Sequence, residues 1–83
     1  MKIYNYNGKK NICGDNVRLA RLKLRLTQSD LAAKLQLEQV EIERDSISRI
    51  EAGTRFVADY ELKILAKVLK TSVARLIDEN QTL

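Results

Sequence analysis

Two segments of the chain decide its fold: Leu26-Thr27-Gln28-Ser29-Asp30-Leu31-Ala32 and Ser46-Ile47-Ser48-Arg49-Ile50-Glu51-Ala52-Gly53. In the first, Thr27 is a favourable N-cap, and Asp30, three residues later, completes a variant of the capping box. In the second, Ile47 and Ile50 recur with helical spacing, and Gly53 is a favourable residue to end a helix. The pair therefore predicts two short helices in succession.

Two consecutive short helices are typical of a helix-turn-helix, which places its second helix in the major groove of DNA. The flanking sequence predicts three more helices. One spans about residues 15–25, and the other two begin at caps predicted at Asp59 and Ser72. The predicted organisation is an N-terminal arm, residues 1–11, one helix-turn-helix domain, residues 12–80, and a tail, residues 81–83.

The composition argues against an enzyme. The 83 residues favour a single domain, histidine is absent, and Cys13 is the only cysteine. No disulfide or Cys/His zinc site can therefore form within one chain. The sequence also has no set of nucleophile and base, and no glycine loop that could cradle a phosphate. We expect no catalysis, no cofactor and no metal.

Charge is distributed unevenly along the chain. Residues 1–27 hold seven basic residues and one acidic residue, a net charge of +6, whereas residues 28–54 hold three basic and six acidic residues, a net charge of −3. A basic N-terminal end suits a polyanionic partner, although it also suits an ordinary solvated surface. The N-terminus lacks the apolar segment of a secretory signal, and no apolar run reaches the ~18 residues of a membrane span. We expect a cytoplasmic setting without membrane contact.

An ordered set of residues resembles the lambda-repressor-like Cro/repressor (XRE) helix-turn-helix family. It comprises Asn16-Val17-Arg18, Arg21, Leu26-Thr27-Gln28, Leu31-Ala32, Leu35, Ile47-Ser48, Ile50-Glu51 and Gly53. The resemblance covers roughly residues 14–78. It implies an all-α, compact five-helix fold with helices 2 and 3 as the helix-turn-helix, and a sequence-specific DNA-binding transcriptional regulator of the repressor type.

The resemblance also implies which residues meet the bases of double-stranded DNA: Arg44, Asp45, Ser48 and Arg49. An arginine that reaches the O6/N7 edge of guanine is the commonest specific contact. Arg49 is the first candidate for such a contact, and Arg44 is the second. Asp45 can accept from a cytosine amino group, or it can simply cap its helix.

Further roles follow from the same resemblance. Contacts to the DNA phosphates are implied for Gln28, Ser46, Thr54 and Arg55. Gln28 would act at the start of helix 2, where the helix dipole favours an anion, but it can also be an ordinary solvated glutamine. Arg21 and Glu51 align with a structural ion pair that joins helix 1 to the end of helix 3.

The sequence departs from the usual pattern between the two helices of the motif. Nine residues separate Leu37 from Ile47, about five more than the short turn of the motif requires. The acidic loop 38–45 has four acidic residues and one basic residue, so we expect it to point away from the phosphates or to bind another partner. Val40 and Ile42 alternate with polar residues and are expected to pack onto the core. We expect the loop to adjust the recognition helix without destroying it.

Proteins of this class usually bind two half-sites ~34 Å apart as dimers, so a homodimer is expected. The family often dimerises through its last helices, near Val73, Leu76 and Ile77, although their spacing assigns all three to the core. The N-terminal arm can pair across a dimer, lie along DNA, or remain a free tail.

A second hypothesis is a protein-interaction module of antitoxin or assembly type on the same fold, in which the acidic loop 38–45 holds a basic protein partner. RNA binding through Tyr4 and Tyr6 is a weaker third hypothesis, because no RNA-binding motif is present.

Overall fold

The computed structural model describes residues 5–79, and within them it confirms an all-α fold of five helices. The helices are α1 (Gly14–Lys23), α2 (Gln28–Leu37), α3 (Arg44–Ala52), α4 (Asp59–Val68) and α5 (Val73–Leu76). The predicted tail, and Lys2, Ile3 and Tyr4 of the predicted arm, lie outside the described residues. No helix among residues 5–79 is both long enough and apolar enough to cross a membrane.

One hydrophobic core lies between the helices. Helix α3 packs against α1 and α2, while α4 packs against α2 and α5. The residues that the core buries completely are Val17, Leu31, Leu35, Ile47, Ile50 and Leu65. Of the three residues assigned to the core near the C-terminus, only Leu76 is buried, and Val73 and Ile77 are 36% and 41% exposed. They are exposed because α5 is a single turn and buries only one side chain.

Local signals set most of the helix boundaries. Thr27 Oγ1 accepts from the Asp30 N–H, and Asp30 Oδ2 accepts from the Thr27 N–H, both at 2.9 Å, which confirms the capping box at the start of α2. The hydrogen bond from the Thr27 N–H to the carboxylate, together with the Thr27 side chain, holds the pKa of Asp30 below its usual range. Ser72 Oγ likewise accepts from the Arg75 N–H, which confirms the predicted cap of α5.

The predicted cap of α4 was wrong by one residue. Ala58 occupies the N-cap position, and Asp59 is the first residue of the helix. The alanine has no side-chain acceptor for the first N–H groups of the helix. The Glu61 carboxylate reaches back and accepts the Ala58 N–H at 3.0 Å. Helix α4 therefore begins with half of a capping box, and the carboxylate that supplies it lies within the helix.

The lengthened connection between α2 and α3 is an ordered part of the core. It comprises residues 38–43, because Arg44 and Asp45 belong to the first turn of α3 and not to the loop. Gln39 adopts a left-handed backbone conformation, and the Val40 N–H returns to the Leu35 carbonyl at 3.0 Å. Val40 and Ile42 are 9% and 2% exposed, which confirms that they pack inward.

The N-terminal segment begins with a tight turn. Asn7 and Gly8 have φ angles of 51° and 81°, and Tyr6 and Lys9 exchange backbone hydrogen bonds of 2.6 and 2.9 Å around them. Two central residues with positive φ are the signature of a type I′ turn. The chain then runs past the end of α3, where the Lys10 N–H donates to the Gly53 carbonyl at 2.8 Å.

Helix α1 and the end of α3 approach each other very closely. A Cβ built on Gly14 would overlap the Ile50 carbonyl oxygen, so only glycine permits this separation. Gly53 ends α3 with a φ of 79°, as expected of a residue that follows a helix. Gly14 therefore allows α1 to approach α3 this closely, and Gly53 sets where α3 ends.

Candidate nucleic-acid interface

Helix α3 has a buried face and an exposed face. Ile47 and Ile50 are fully buried against the core. The exposed residues are the four expected to contact bases, Arg44, Asp45, Ser48 and Arg49, together with Ala52 at the end of the helix. Successive residues of an α-helix are about 100° apart, so these four side chains share the outward side of α3. The helix thus offers two guanidinium groups, one carboxylate and one hydroxyl to a partner.

A nearly buried ion pair joins α3 to α1. Arg21 Nε donates to Glu51 Oε2 at 2.7 Å and Arg21 Nη2 donates to Glu51 Oε1 at 3.0 Å, with both side chains less than 10% exposed. Arg21 Nη1 also donates to the Leu26 carbonyl at 2.8 Å, just before α2. Glu51, through its hydrogen bonds to Arg21, raises the pKa of that guanidinium. One arginine therefore ties α1 to the start of α2 and the end of α3.

Gln28 belongs to the same network. Its Nε2 donates to Glu51 Oε1 at 3.1 Å, and its side chain is half-buried. An amide nitrogen carries two hydrogens, so the second N–H of Gln28 remains for another acceptor. Because the amide group is planar, the bond to Glu51 also fixes the direction of this second N–H. The first residue of α2 thus has an oriented donor beside the positive end of the helix dipole.

The loop that follows α3 places Thr54 and Arg55. The Thr54 N–H and Oγ1 both donate to the Arg49 carbonyl, at 2.9 and 3.3 Å. The Arg55 guanidinium makes two hydrogen bonds of 3.1 and 3.2 Å to the Glu61 carboxylate and a third to the Phe56 carbonyl. The Arg55 guanidinium is therefore already hydrogen-bonded within the protein, and the residue is partly buried. Thr54 is exposed. Ser46, the third residue of α3, is half-buried.

Glu61 is the acidic partner of this loop. Burial raises the pKa of Glu61, but the hydrogen bonds from Arg55 and from the Ala58 N–H together lower it further, so its pKa lies below its usual value. The carboxylate is therefore ionised at neutral pH. It fixes the Arg55 guanidinium against the first turn of α4.

Two buried or half-buried asparagines, Asn16 and Asn11, hold the elements together in roles that the sequence did not predict. Asn11 Nδ2 donates to the Ile50 and Arg55 carbonyls at 3.1 and 2.8 Å, while Asn11 Oδ1 accepts from the Gly14 N–H at 2.9 Å. Asn16 Nδ2 donates to the Leu76 and Asp78 carbonyls, both at 2.9 Å. Asn11 lies in a loop, where asparagine is common, and Asn16 lies within α1. No local pattern at either residue indicates a hydrogen bond to a distant carbonyl.

The acidic connection lies beside the start of α3. Glu38 accepts from Lys67 Nζ at 2.6 Å, which ties the connection to α4. Glu41 and Glu43 are exposed and border a groove of about 420 Å³ between α2 and residues 40–44. Within the described residues neither carboxylate has an ion-pair partner. The net negative charge of this connection therefore faces solvent.

The described part of the chain offers little for metal or thiol chemistry. Residues 5–79 contain no group of three or more His, Cys, Asp or Glu side chains that could hold a metal ion. Cys13 is 2% exposed, and burial raises the pKa of its thiol to about 11. The thiol is therefore protonated at neutral pH and is packed as a small core residue.

Sequence comparison identifies the family of this protein. A helix-turn-helix family model matches residues 17–76, which include most of α1, all of α2, α3 and α4, and all of α5. The chain therefore belongs to the Cro/C1-type helix-turn-helix (XRE) family, a family of DNA-binding regulatory domains. No curated protein and no solved structure matched the chain significantly.

Proposed function

We propose that this protein is a sequence-specific transcriptional repressor that reads the major groove of DNA with α3. The observation that carries the proposal is the outward side of α3, where Arg44, Asp45, Ser48 and Arg49 are exposed while Ile47 and Ile50 hold the helix to the core. A helix with this division can enter the major groove without unfolding any part of the domain. DNA binding itself is the function of the family.

Within this proposal, the two arginines carry the base contacts. Arg49 lies one turn after Asp45 on the same side of α3, and Arg44 lies at the start of the helix. Each can donate two hydrogen bonds to a guanine, a contact worth about 1–3 kcal/mol of discrimination. Asp45 would accept from a cytosine amino group, and Ser48 would contact either kind of base.

We propose that the DNA phosphates are contacted by Gln28, Ser46, Thr54 and Arg55. The oriented amide of Gln28 supports its role, because Glu51 holds one amide hydrogen and leaves the other available. Thr54 is exposed next to the end of α3. Arg55 would have to share its guanidinium with Glu61 or release that carboxylate, so we expect it to be the weakest of the four contacts.

We propose that the protein binds as a homodimer in the cytoplasm, since one recognition helix buries little surface and reads few bases. Two copies related by a two-fold axis would read a palindromic operator, with half-sites about one helical turn apart. Such a dimer would repress by covering a promoter.

A protein partner is the second candidate function, and one observation favours it. Val40 and Ile42 anchor the connection 38–43 in the core, whereas Glu41 and Glu43 are exposed beside the groove between α2 and residues 40–44. A rigid acidic surface suits a basic partner of antitoxin or assembly type better than it suits DNA.

Selection of bound sequences from random duplex DNA tests the proposal. We expect a palindromic motif, bound with an affinity that falls steeply as salt is raised. If the selection enriches no DNA motif, and a basic protein co-purifies through the acidic connection, the result would instead support a protein partner as the function. The same selection with Glu41→Gln and Glu43→Gln shows whether the acidic connection affects DNA sequence preference.

A further inference from the structure

We infer that the N-terminal segment, residues 5–11, is a built part of the DNA-contacting surface and that Lys10 contacts a backbone phosphate. The inference rests on the proposed DNA-binding function and adds to it a contact that lies outside residues 17–76, the region shared with the family. Four observations support it: where the segment docks, which groups it covers, which cations are already paired, and how Lys10 is exposed.

The segment docks on the loop that follows α3. The Lys10 N–H donates to the Gly53 carbonyl at 2.8 Å, one residue before Thr54. The next residue, Asn11, donates to the Arg55 carbonyl at 2.8 Å. The backbone of Lys10 is therefore fixed beside the two loop residues proposed to contact phosphate.

Docking also covers acceptors that would repel DNA. The C-terminal end of a helix carries a partial negative charge on its last carbonyl groups, which is unfavourable next to a phosphate. The N-terminal segment donates to the Ile50 and Gly53 carbonyls, at the end of α3. The segment therefore covers these carbonyl groups at the end of α3 and adds two lysines, Lys9 and Lys10, to the same surface.

Of the cations on this surface, Lys10 is the one without an acidic partner in the described part of the chain. Arg55 is bound by Glu61, and Lys9 Nζ lies 3.9 Å from Asp15 Oδ2. No carboxylate among residues 5–79 lies within ion-pair distance of Lys10, which is exposed. An ammonium on a flexible four-carbon stem can reach a phosphate without giving up an internal ion pair.

The salt dependence of DNA affinity tests the inference. Each phosphate contact contributes about 0.9 to the slope of log affinity against log salt. Because each protomer of the proposed dimer would lose one contact, we expect Lys10→Gln to reduce that slope by about 1.8. Its affinity should then fall about 12-fold less than that of the wild type between 50 and 200 mM salt. The loss at low salt should be similar for all DNA sequences, because a phosphate contact carries no sequence information.

Two variants serve as controls. Lys63→Gln makes the same change of charge on the exposed side of α4, where no DNA contact is proposed, and should keep the wild-type slope. Lys10→Arg keeps the positive charge and should keep the slope as well. Thermal unfolding of each variant shows that the fold is retained, as expected for an exposed side chain.

The outcomes separate the inference from the proposed function. A wild-type protein that binds no duplex selectively would refute both. Selective binding by the wild type, with an unchanged slope in Lys10→Gln, would refute the contact at Lys10 alone. A change in the dimerisation constant of Lys10→Gln, measured by sedimentation without DNA, would assign the segment to a dimer interface and also overturn the inference.

Discussion

Gln28 Nε2 and Glu51 Oε1 are hydrogen-bonded at 3.1 Å, which links the first residue of α2 to the last turn of α3. The same carboxylate receives two hydrogen bonds from Arg21. Because the arginine neutralises Glu51, a carboxylate can lie near the proposed phosphate site without repelling the DNA. The structural ion pair and the proposed phosphate donor therefore form one unit.

We expect Glu51→Gln to destabilise the protein by about 3 kcal/mol, because removing one partner of a buried ion pair leaves the other charge without compensation. The free energy of unfolding in urea measures this loss. Glu38→Gln is the matched control, since it breaks the exposed Lys67–Glu38 pair and should cost less than about 1 kcal/mol. Equal losses in the two variants would show that the Arg21–Glu51 pair contributes no more than a surface pair.

Arg49→Ala and Gln28→Ala should weaken DNA binding in different ways. Arg49→Ala should reduce the preference for the selected sequence over random DNA by about 1–3 kcal/mol, because it removes a base contact. Gln28→Ala should lower the affinity for both kinds of DNA and keep the salt slope, since a neutral amide displaces no counterion. Fluorescence anisotropy with both duplexes at several salt concentrations distinguishes these effects. An Arg49→Ala protein that binds as tightly and selectively as the wild type would exclude the base contact.

Ile42→Ala should destabilise the protein by about 2–5 kcal/mol, because it leaves a cavity where a side chain only 2% exposed fills the core. Urea unfolding measures the effect. Glu41→Gln, at the neighbouring exposed position, should change the stability by less than about 0.5 kcal/mol. If both substitutions are neutral, the connection between α2 and α3 does not contribute to the core.

Acid should weaken the contact between Arg55 and Glu61. The pKa of Glu61 is lower in the folded protein than its ordinary value of 4.5, so the unfolded chain binds its proton more readily. Its contribution to stability is thus present above about pH 4.5 and is lost as the pH falls through the folded-state pKa. We expect the free energy of unfolding of Glu61→Gln to fall less than that of the wild type below pH 4.5.

The control for this pH dependence is Glu41→Gln, which removes an exposed carboxylate that has no ion-pair partner in the described chain. Its profile should run parallel to that of the wild type through the acidic range. A Glu61→Gln profile that also ran parallel would mean that the titration of Glu61 does not contribute to acid unfolding.

Much of the fold could be predicted because its signals are local. A cap such as Thr27 acts within three residues, and the helical spacing of Ile47 and Ile50 requires one buried side whatever lies opposite. The inward packing of Val40 and Ile42 followed from simple alternation with polar residues. The predicted cap at Asp59 was wrong by one residue because Ala58 occupies the N-cap position, and the Glu61 carboxylate within the helix accepts the Ala58 N–H.

The sequence by itself determined the five helices and the helix-turn-helix, since each follows from capping and periodicity over a few neighbouring residues. The resemblance to the family supplied the set of polar residues on α3. Only the tertiary structure decided how these parts are joined. The hydrogen bonds of Asn11 to Ile50 and Arg55 span 39 and 44 residues, and the bond of Gln28 to Glu51 spans 23. No local pattern specifies such partners, because they meet only when the core brings α1, α2 and α3 together.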